Sequence, residues 1–379
     1  MGLVDKTTNP HPASFFETDM TQYVIRRLLL AIPVIFGIMV VTFAIARLIP
    51  GDPCRSALGE HATVAACEAF NARFGLDKSI PIQLGIYLRD ILINRDFGNS
   101  IRFSIPVTRL LIERLPVTLE LGTAAMFLAI LVGVPAGILS AVKRNSATDV
   151  VTMIGANVGV SMPVYWLGLM LAYVFAILLK DTPFWLPPSG RLSAGVLPDP
   201  FYEIWGWELT RGTTAYVVAD FISNFAIFNG LITAQWEVLR DAIVHLILPA
   251  VALSTIPLAI IARITRSSML DVLGREYVRA ARAKGVVERK VILKHAFRNA
   301  LLPVVTVIGL QTGTLFAGAV LTESIFGFSG VGRALFDAIT GRDYPIIQAF
   351  TVVIAVGYVL INMLVDFSYA FIDPRIKFS

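Results

Sequence analysis

Between Glu276 and Pro303 the chain carries basic and small residues whose spacing suits docking rather than bond chemistry. Arg275, Arg279 and Arg282 recur at intervals of four and three, which places three guanidinium groups on one stripe of a helix. Tyr277, Ala280 and Ala281 fall on a second stripe, where alanine lets another backbone approach closely. Gly285 interrupts the helical pattern and suits a turn that a side chain would hinder. The charges alone also fit an ordinary solvated basic loop. Set between two long apolar runs, the whole pattern reads as a helix–turn–helix knob pinned to a membrane at both ends.

Other reactive constellations do not occur. The chain has no GxxxxGK[ST], HExxH or GxSxG, and so no visible nucleotide, metal or serine-nucleophile signature. Cys54 and Cys67 stand 13 residues apart in the first long polar segment. An oxidising side would allow a disulfide, and two unpaired small residues fit as well. Arg47, Glu120, Arg263, Glu323 and His245 sit near the ends of apolar runs, where snorkelling is cheap, and Asp366 lies in the last turns of the final run. A proton- or sodium-coupled carrier usually shows buried acids or a broken-helix pair, so the energy source is expected in another subunit. Asn157 and Ser161 beside Met162-Pro163, and Gln311, Thr312 and Thr314 among Gly309, Gly313 and Gly318, have two readings. They line a translocation path, or they hydrogen-bond between helices.

The elements that must hold these residues follow from composition. Of 379 residues, 56% are hydrophobic, and the mean hydropathy of +0.71 is that of an integral membrane protein. The net charge of +5 fits cytoplasmic loops, and no nucleic-acid motif accompanies it. The expected fold is an all-α membrane protein of about six spans. Residues 1–22 read as a polar cytoplasmic tail and 23–49 as the first span, with its apolar run from Leu28 to Ile49. Residues 50–115 form a long segment outside. The core, 116–376, has spans near 117–141, 150–179, 242–264, 301–322 and 346–371. Pro116 is expected at the start of the second span, where a missing N–H costs nothing. Gly133, Pro135 and Gly137 loosen that span and permit close helix contact. Within the outer segment 181–241, residues 221–233 read as interfacial. Residues 263–299 carry ten Lys/Arg against three acids, and 181–241 carry three against seven. That asymmetry places both termini and the 265–299 loop in the cytoplasm.

Glu276-x-x-x-Ala280-Ala281-x-x-x-Gly285, followed by Leu302-Pro303, resembles the EAA loop of bacterial ABC importer permeases. Tyr23-x-x-Arg26-Arg27-Leu28, Pro50-Gly51-Asp52-Pro53, Phe74-Gly75-Leu76-Asp77, Asp96-Phe97-Gly98-Asn99-Ser100 and Pro187-Pro188-Ser189-Gly190-Arg191 resemble the peptide branch of that family, as do Thr265 to Leu270 and Arg342-Asp343-Tyr344-Pro345. The resemblance runs from about Tyr23 to Ile376 and is patchy over 181–241. It implies a type I importer permease fold in the bacterial inner membrane. It implies a homologous second permease, one or two ATP-binding subunits, an extracytoplasmic substrate-binding protein and surrounding lipid. ATP and Mg would belong to the partner subunits, and this chain would carry no cofactor. Glu276, Ala280, Ala281, Arg282 and Gly285 would couple ATPase motion to the spans. The implied cargo is a dipeptide or short oligopeptide, with nickel chelates, haem and glutathione-like solutes as the branch's other substrates. Outside this family, a secondary transporter or a membrane scaffold that docks a signalling protein would also fit.

Overall fold

The computed structural model describes residues 12–48, 51–59 and 61–372. Helix α1 spans Pro12–Leu48. Three short helices follow, α2 (Pro53–Leu58), α3 (Val64–Phe74) and α4 (Ile80–Arg89). Next come α5 (Val107–Val142), α6 (Ala147–Ser161) and α7 (Val164–Ala172), and α7 runs on as a π-helical stretch over Tyr173–Leu178. The second polar segment contains α8 (Phe201–Ile204), α9 (Thr214–Ser223) and α10 (Ala226–Ile232). Then come α11 (Trp236–Leu273), α12 (Glu276–Ala283), α13 (Glu288–Lys290) and α14 (Arg298–Gly318). The chain closes with α15 (Val320–Ile325), α16 (Val331–Gly341) and α17 (Tyr344–Ile372). Among the described residues the only β pairing is an isolated bridge between Asn99 and Pro106. The molecule is an all-α membrane protein.

Among the described residues, five helical stretches are long and apolar enough to cross a bilayer: Ile25–Leu48, Val107–Val142, Trp236–Leu273, Glu288–Phe316 and Tyr344–Ser368. The shortest has 24 residues, or about 36 Å of helix against roughly 30 Å of hydrocarbon. The expected continuous span over 150–179 is instead broken, with α6 and α7 meeting at 100°. Pro163 lacks an N–H and disfavours helical geometry in the residue before it, and Met162 is extended at φ −77°, ψ 127°. α9 and α10 also meet at a sharp bend, of 96°.

Several boundaries differ from the sequence expectation. Residues 1–11 of the expected tail lie outside the described residues, and Pro12 to Thr21 are already helical. Proline suits a first helical turn, so α1 begins well before its apolar run. Pro116 does not start its helix. It lies inside α5, which begins at Val107 with Pro106 as its N-cap. The fifth span ends at Gly318, so Leu321 and Thr322 belong to the separate helix α15.

α5 and α11 pack along their length at the centre. Leu121, Ala125 and Ala129 meet Leu248, Ala252 and Ile261, with Leu315 and Phe326 completing a buried cluster. Glycine makes this approach possible. A Cβ on Gly137 would stand 2.5 Å from the Ala262 carbonyl oxygen, and one on Gly133 would stand 2.8 Å from that of Leu258. α14 approaches α17 in the same way, with Gly309 against Val365 and Gly313 against Tyr358.

The connections sort to two ends. α1 and α17 run antiparallel, with Arg47 stacked on Tyr344 at one end and Arg27 paired with Asp366 at the other. The basic loop caps the Asp366 end. Both long polar segments cap the opposite end, where a disulfide joins Cys54 of α2 to Cys67 of α3 with Cα atoms 5.5 Å apart.

Candidate functional site

The basic loop folds into a compact knob. Arg275 caps α12 in an extended conformation. After α12 the chain reverses through Gly285, whose φ of +72° lies in the left-handed region that side chains disfavour. The Gly285 N–H donates to Arg282 O and the Val286 N–H to Ala281 O, at 2.9 and 3.3 Å. The return arm starts as α13 and continues through a π-helical stretch, Val291–Phe297, directly into α14.

A small apolar core holds the two arms together. Val278 and Val291 are fully buried, Ala281 is 8% exposed, and Val272, Leu273 and Val286 pack around them. The structure therefore separates the two alanines of the sequence stripe. Ala280 faces outward, whereas Ala281 faces the knob's own core, where its small size is needed internally. Arg282 bridges to Glu288 across the turn at 2.7 and 3.2 Å. The Glu288 carboxylate pushes the Arg282 guanidinium further above its ordinary range. Both groups are well exposed, so the pair orients the turn more than it stabilises it. Glu276, Ala280, Arg282 and Gly285 share the solvent-facing surface with Tyr277, Arg279 and Val287.

Next to the knob lies a polar clamp that sequence reasoning missed. Asp149, buried in the first turn of α6, accepts from Arg266 of α11 at 2.7 and 2.8 Å and from the Asn145 N–H at 2.9 Å. The Ser140 hydroxyl of α5 donates to the same carboxylate. Three helices thus meet on one carboxylate beside the loop. Ser146-x-x-Asp149 is a helix-start pattern, and that local signal was available. Its distant partner, 117 residues away, left no local trace.

Two matches to family profiles complete this picture. Residues 133–378 match the family described as "Binding-protein-dependent transport system inner membrane component". Residues 20–122 match the N-terminal region of the same kind of component. The chain belongs to this permease family. It is 46% identical over 359 residues to the "Dipeptide transport system permease protein DppB" of Alkalihalophilus pseudofirmus, covering 95% of this chain and all of that one. It is 44% identical to the Escherichia coli K12 protein of the same name, covering 94% and 99%. It is 37% identical to the "Glutathione transport system permease protein GsiC" of Pectobacterium atrosepticum, covering 95% and 100%.

Within the permease, the five polar residues picked out of the spans fall into two groups. Asn157 and Ser161 are exposed on α6, and neither side chain bonds to another described residue. Thr312 and Thr314 donate to Ile308 O and Gln311 O, at 2.7 and 2.8 Å, so their hydroxyls are satisfied within α14. Gln311 is half-buried.

The acids expected to snorkel are instead bonded. Glu323 is fully buried and accepts from the Thr118 hydroxyl at 2.6 Å and the Arg333 N–H at 2.9 Å. Glu120 takes Arg191 at 2.5 Å and the Ile227 N–H at 2.9 Å, fastening the second polar segment to α5. His245 is buried, its Nδ1 2.9 Å from Asp241 O. Burial next to partners costs less than reaching for water from these positions.

Proposed function

We propose that this permease is the membrane subunit of an ATP-driven importer for dipeptides or short oligopeptides. It would work with a homologous second permease, one or two ATP-binding subunits and an external substrate-binding protein. The observation that carries the reading is the continuity of the knob with two membrane helices. Its entry arm follows α11 after the two-residue link Gly274-Arg275, and its return arm runs unbroken into α14. A subunit seated on Glu276, Ala280, Arg282 and Gly285 would move α14 directly and α11 through that two-residue link. Closure of the ATPase pair would draw the knobs of the two permeases together and open the spans outward, and hydrolysis would reset them. ATP and Mg belong to the partner subunits in this scheme.

The basic loop and both termini are cytoplasmic in this reading, and both long polar segments are outside, in line with the charge asymmetry between them. Asn157 and Ser161 are the stronger path candidates, because their side chains bond no other described residue. The names of the relatives support peptides as cargo, and the 37% relative supports a glutathione-like solute as the second reading.

Mild-detergent co-purification from the native membrane tests the assignment. Recovery of a second permease and ATP-binding subunits, with hydrolysis stimulated by a peptide-loaded binding protein, is the expected result. A chain recovered alone, with uptake that resists vanadate, would overturn it in favour of a secondary carrier. Competition of labelled dipeptide uptake by glutathione decides between the two cargoes.

A further inference from the structure

The end of the bundle opposite the knob carries a half-open cavity of about 410 Å³, a volume suited to a small-molecule site. It lies between α3 and α4, the Asp96–Ser100 turn, the end of α1 and the start of α17. Five buried side-chain polar atoms among the described residues have no hydrogen-bond partner. Three of them, Arg47 Nη1, Tyr87 Oη and Gln348 Nε2, belong to side chains lining this one cavity. Gln348 is only 5% exposed. Orphaned buried donors are costly, so three around one space point to a group that pairs with them.

The site is built rather than incidental. Arg47 Nε donates to Gln83 Oε1 at 2.7 Å. The guanidinium lies over the rings of Phe43 and Tyr344, 4.8 and 4.5 Å from their centres. Gln83 is itself tied to Leu76 O and Lys78 O. The cation is therefore held in place with one terminal nitrogen unspent. Arg47 Nη1 and Gln348 Nε2 only donate, and Tyr87 Oη can donate. A fixed cation with two further donors is the complement of a carboxylate. Asp90 and Asp96 also line the cavity and offer partners for an ammonium group.

We propose that this cavity receives a short zwitterionic peptide, its terminal carboxylate on Arg47, Tyr87 and Gln348. This would be a receiving site on the permease itself, on the side where cargo arrives and at the ends of two spans, α1 and α17. The inference rests on the peptide-importer reading.

The assembled importer in lipid nanodiscs, without its binding protein, is exposed to alanyl-photoleucine and to the C-terminal amide of the same dipeptide. After irradiation the labelled segments are mapped. The free acid should label residues 72–104 or 344–348, and the amide should label them about tenfold less, as expected for loss of a charge-assisted bond. Tyr87→Phe removes a single unpartnered hydroxyl, and Gln348→Glu keeps the shape while turning a donor into an anion. Each should lower labelling roughly tenfold. Equal labelling by acid and amide, no label in these segments, or a phospholipid headgroup retained there in place of the peptide would overturn the proposal. Uptake by the complete system is measured in parallel. Dipeptide uptake without cavity labelling sinks this inference alone, whereas absence of dipeptide uptake sinks the cargo reading beneath it.

Discussion

Arg266 grips Asp149 through two parallel hydrogen bonds, 2.7 Å from Nε and 2.8 Å from Nη2, and so locks the base of α11 to the base of α6. The carboxylate is nearly enclosed, with side-chain exposure of 5%. Replacing it strands a cation and the Ser140 hydroxyl. Asp149→Ala is expected to lower the melting temperature of the purified protein by several degrees and to cut uptake. Arg266→Lys keeps the charge but loses the fork, and should fall between. Melting curves indistinguishable from wild type for both variants would mean the clamp has no structural role.

At Gly285 the backbone conformation, rather than crowding, sets the requirement. A Cβ there meets nothing within 4 Å, yet φ is +72°. A non-glycine residue should strain the turn by about 1–2 kcal/mol. Gly285→Ala is expected to weaken uptake mildly. Gly285→Leu, which adds bulk on the proposed docking surface, should abolish uptake while membrane insertion stays normal. Full uptake by Gly285→Leu would remove the coupling assignment.

The two neighbouring alanines should respond differently. Ala281→Leu overfills the core formed with Val278 and Val291 and should destabilise the knob by roughly 1–3 kcal/mol. Ala280→Leu points outward and should leave the knob folded while reducing recovery of the ATP-binding subunit. Limited proteolysis of the loop reads the first effect and co-purification the second. The same phenotype from both would contradict the inside–outside division.

Gly137→Val is expected to block assembly of α5 against α11. The new side chain meets the Ala262 carbonyl and the Thr265 side chain, and a backbone oxygen cannot swing aside. A Cβ on Gly155 meets nothing within 4 Å, so Gly155→Val serves as the control. Monodispersity in detergent separates them, and a well-behaved Gly137→Val protein would argue against the close packing.

The Cys54–Cys67 bridge closes a short loop, 13 residues in separation. Losing it should cost about 2–3 kcal/mol locally. In intact spheroplasts a membrane-impermeant maleimide should label both thiols after reduction with an impermeant phosphine. Labelling only after the membrane is opened would reverse the proposed orientation.

The knob was legible in the sequence because its signals are local. Gly285 stops a helix, and the arginines keep a 3.6-residue period. What lay further apart in the chain was not legible. Ala280 and Ala281 have the same composition and neighbouring positions, and only the packing of Val291 against Val278 tells them apart. The broken third span was half visible. Pro163 marks a candidate break, but Pro33, Pro116, Pro135, Pro249, Pro257 and Pro303 all sit inside unbroken helices. Proline in an apolar helix is tolerated when neighbours compensate, so its presence does not locate a break. Asp96-Phe97-Gly98-Asn99-Ser100 and Arg342-Asp343-Tyr344-Pro345 are separate motifs in the sequence. In the fold they are one joint, with the Ser100 hydroxyl 2.5 Å from Asp343 and the Arg102 N–H at 3.0 Å.

α11 has 38 residues, which makes it a rod of about 57 Å. Its far end is fixed to the second polar segment, where Ser193 donates to Asp241 through N–H and hydroxyl at 2.6 and 2.8 Å. If the rod pivots at the knob, a tilt of about 5° sweeps its other tip through an arc of about 5 Å at that length. Such a stroke would carry the Pro187–Ser193 turn with it. The lever's output would then appear at the mouth of the molecule as a displaced lip, delivered along one helix without crossing the polar residues of α6 or α14.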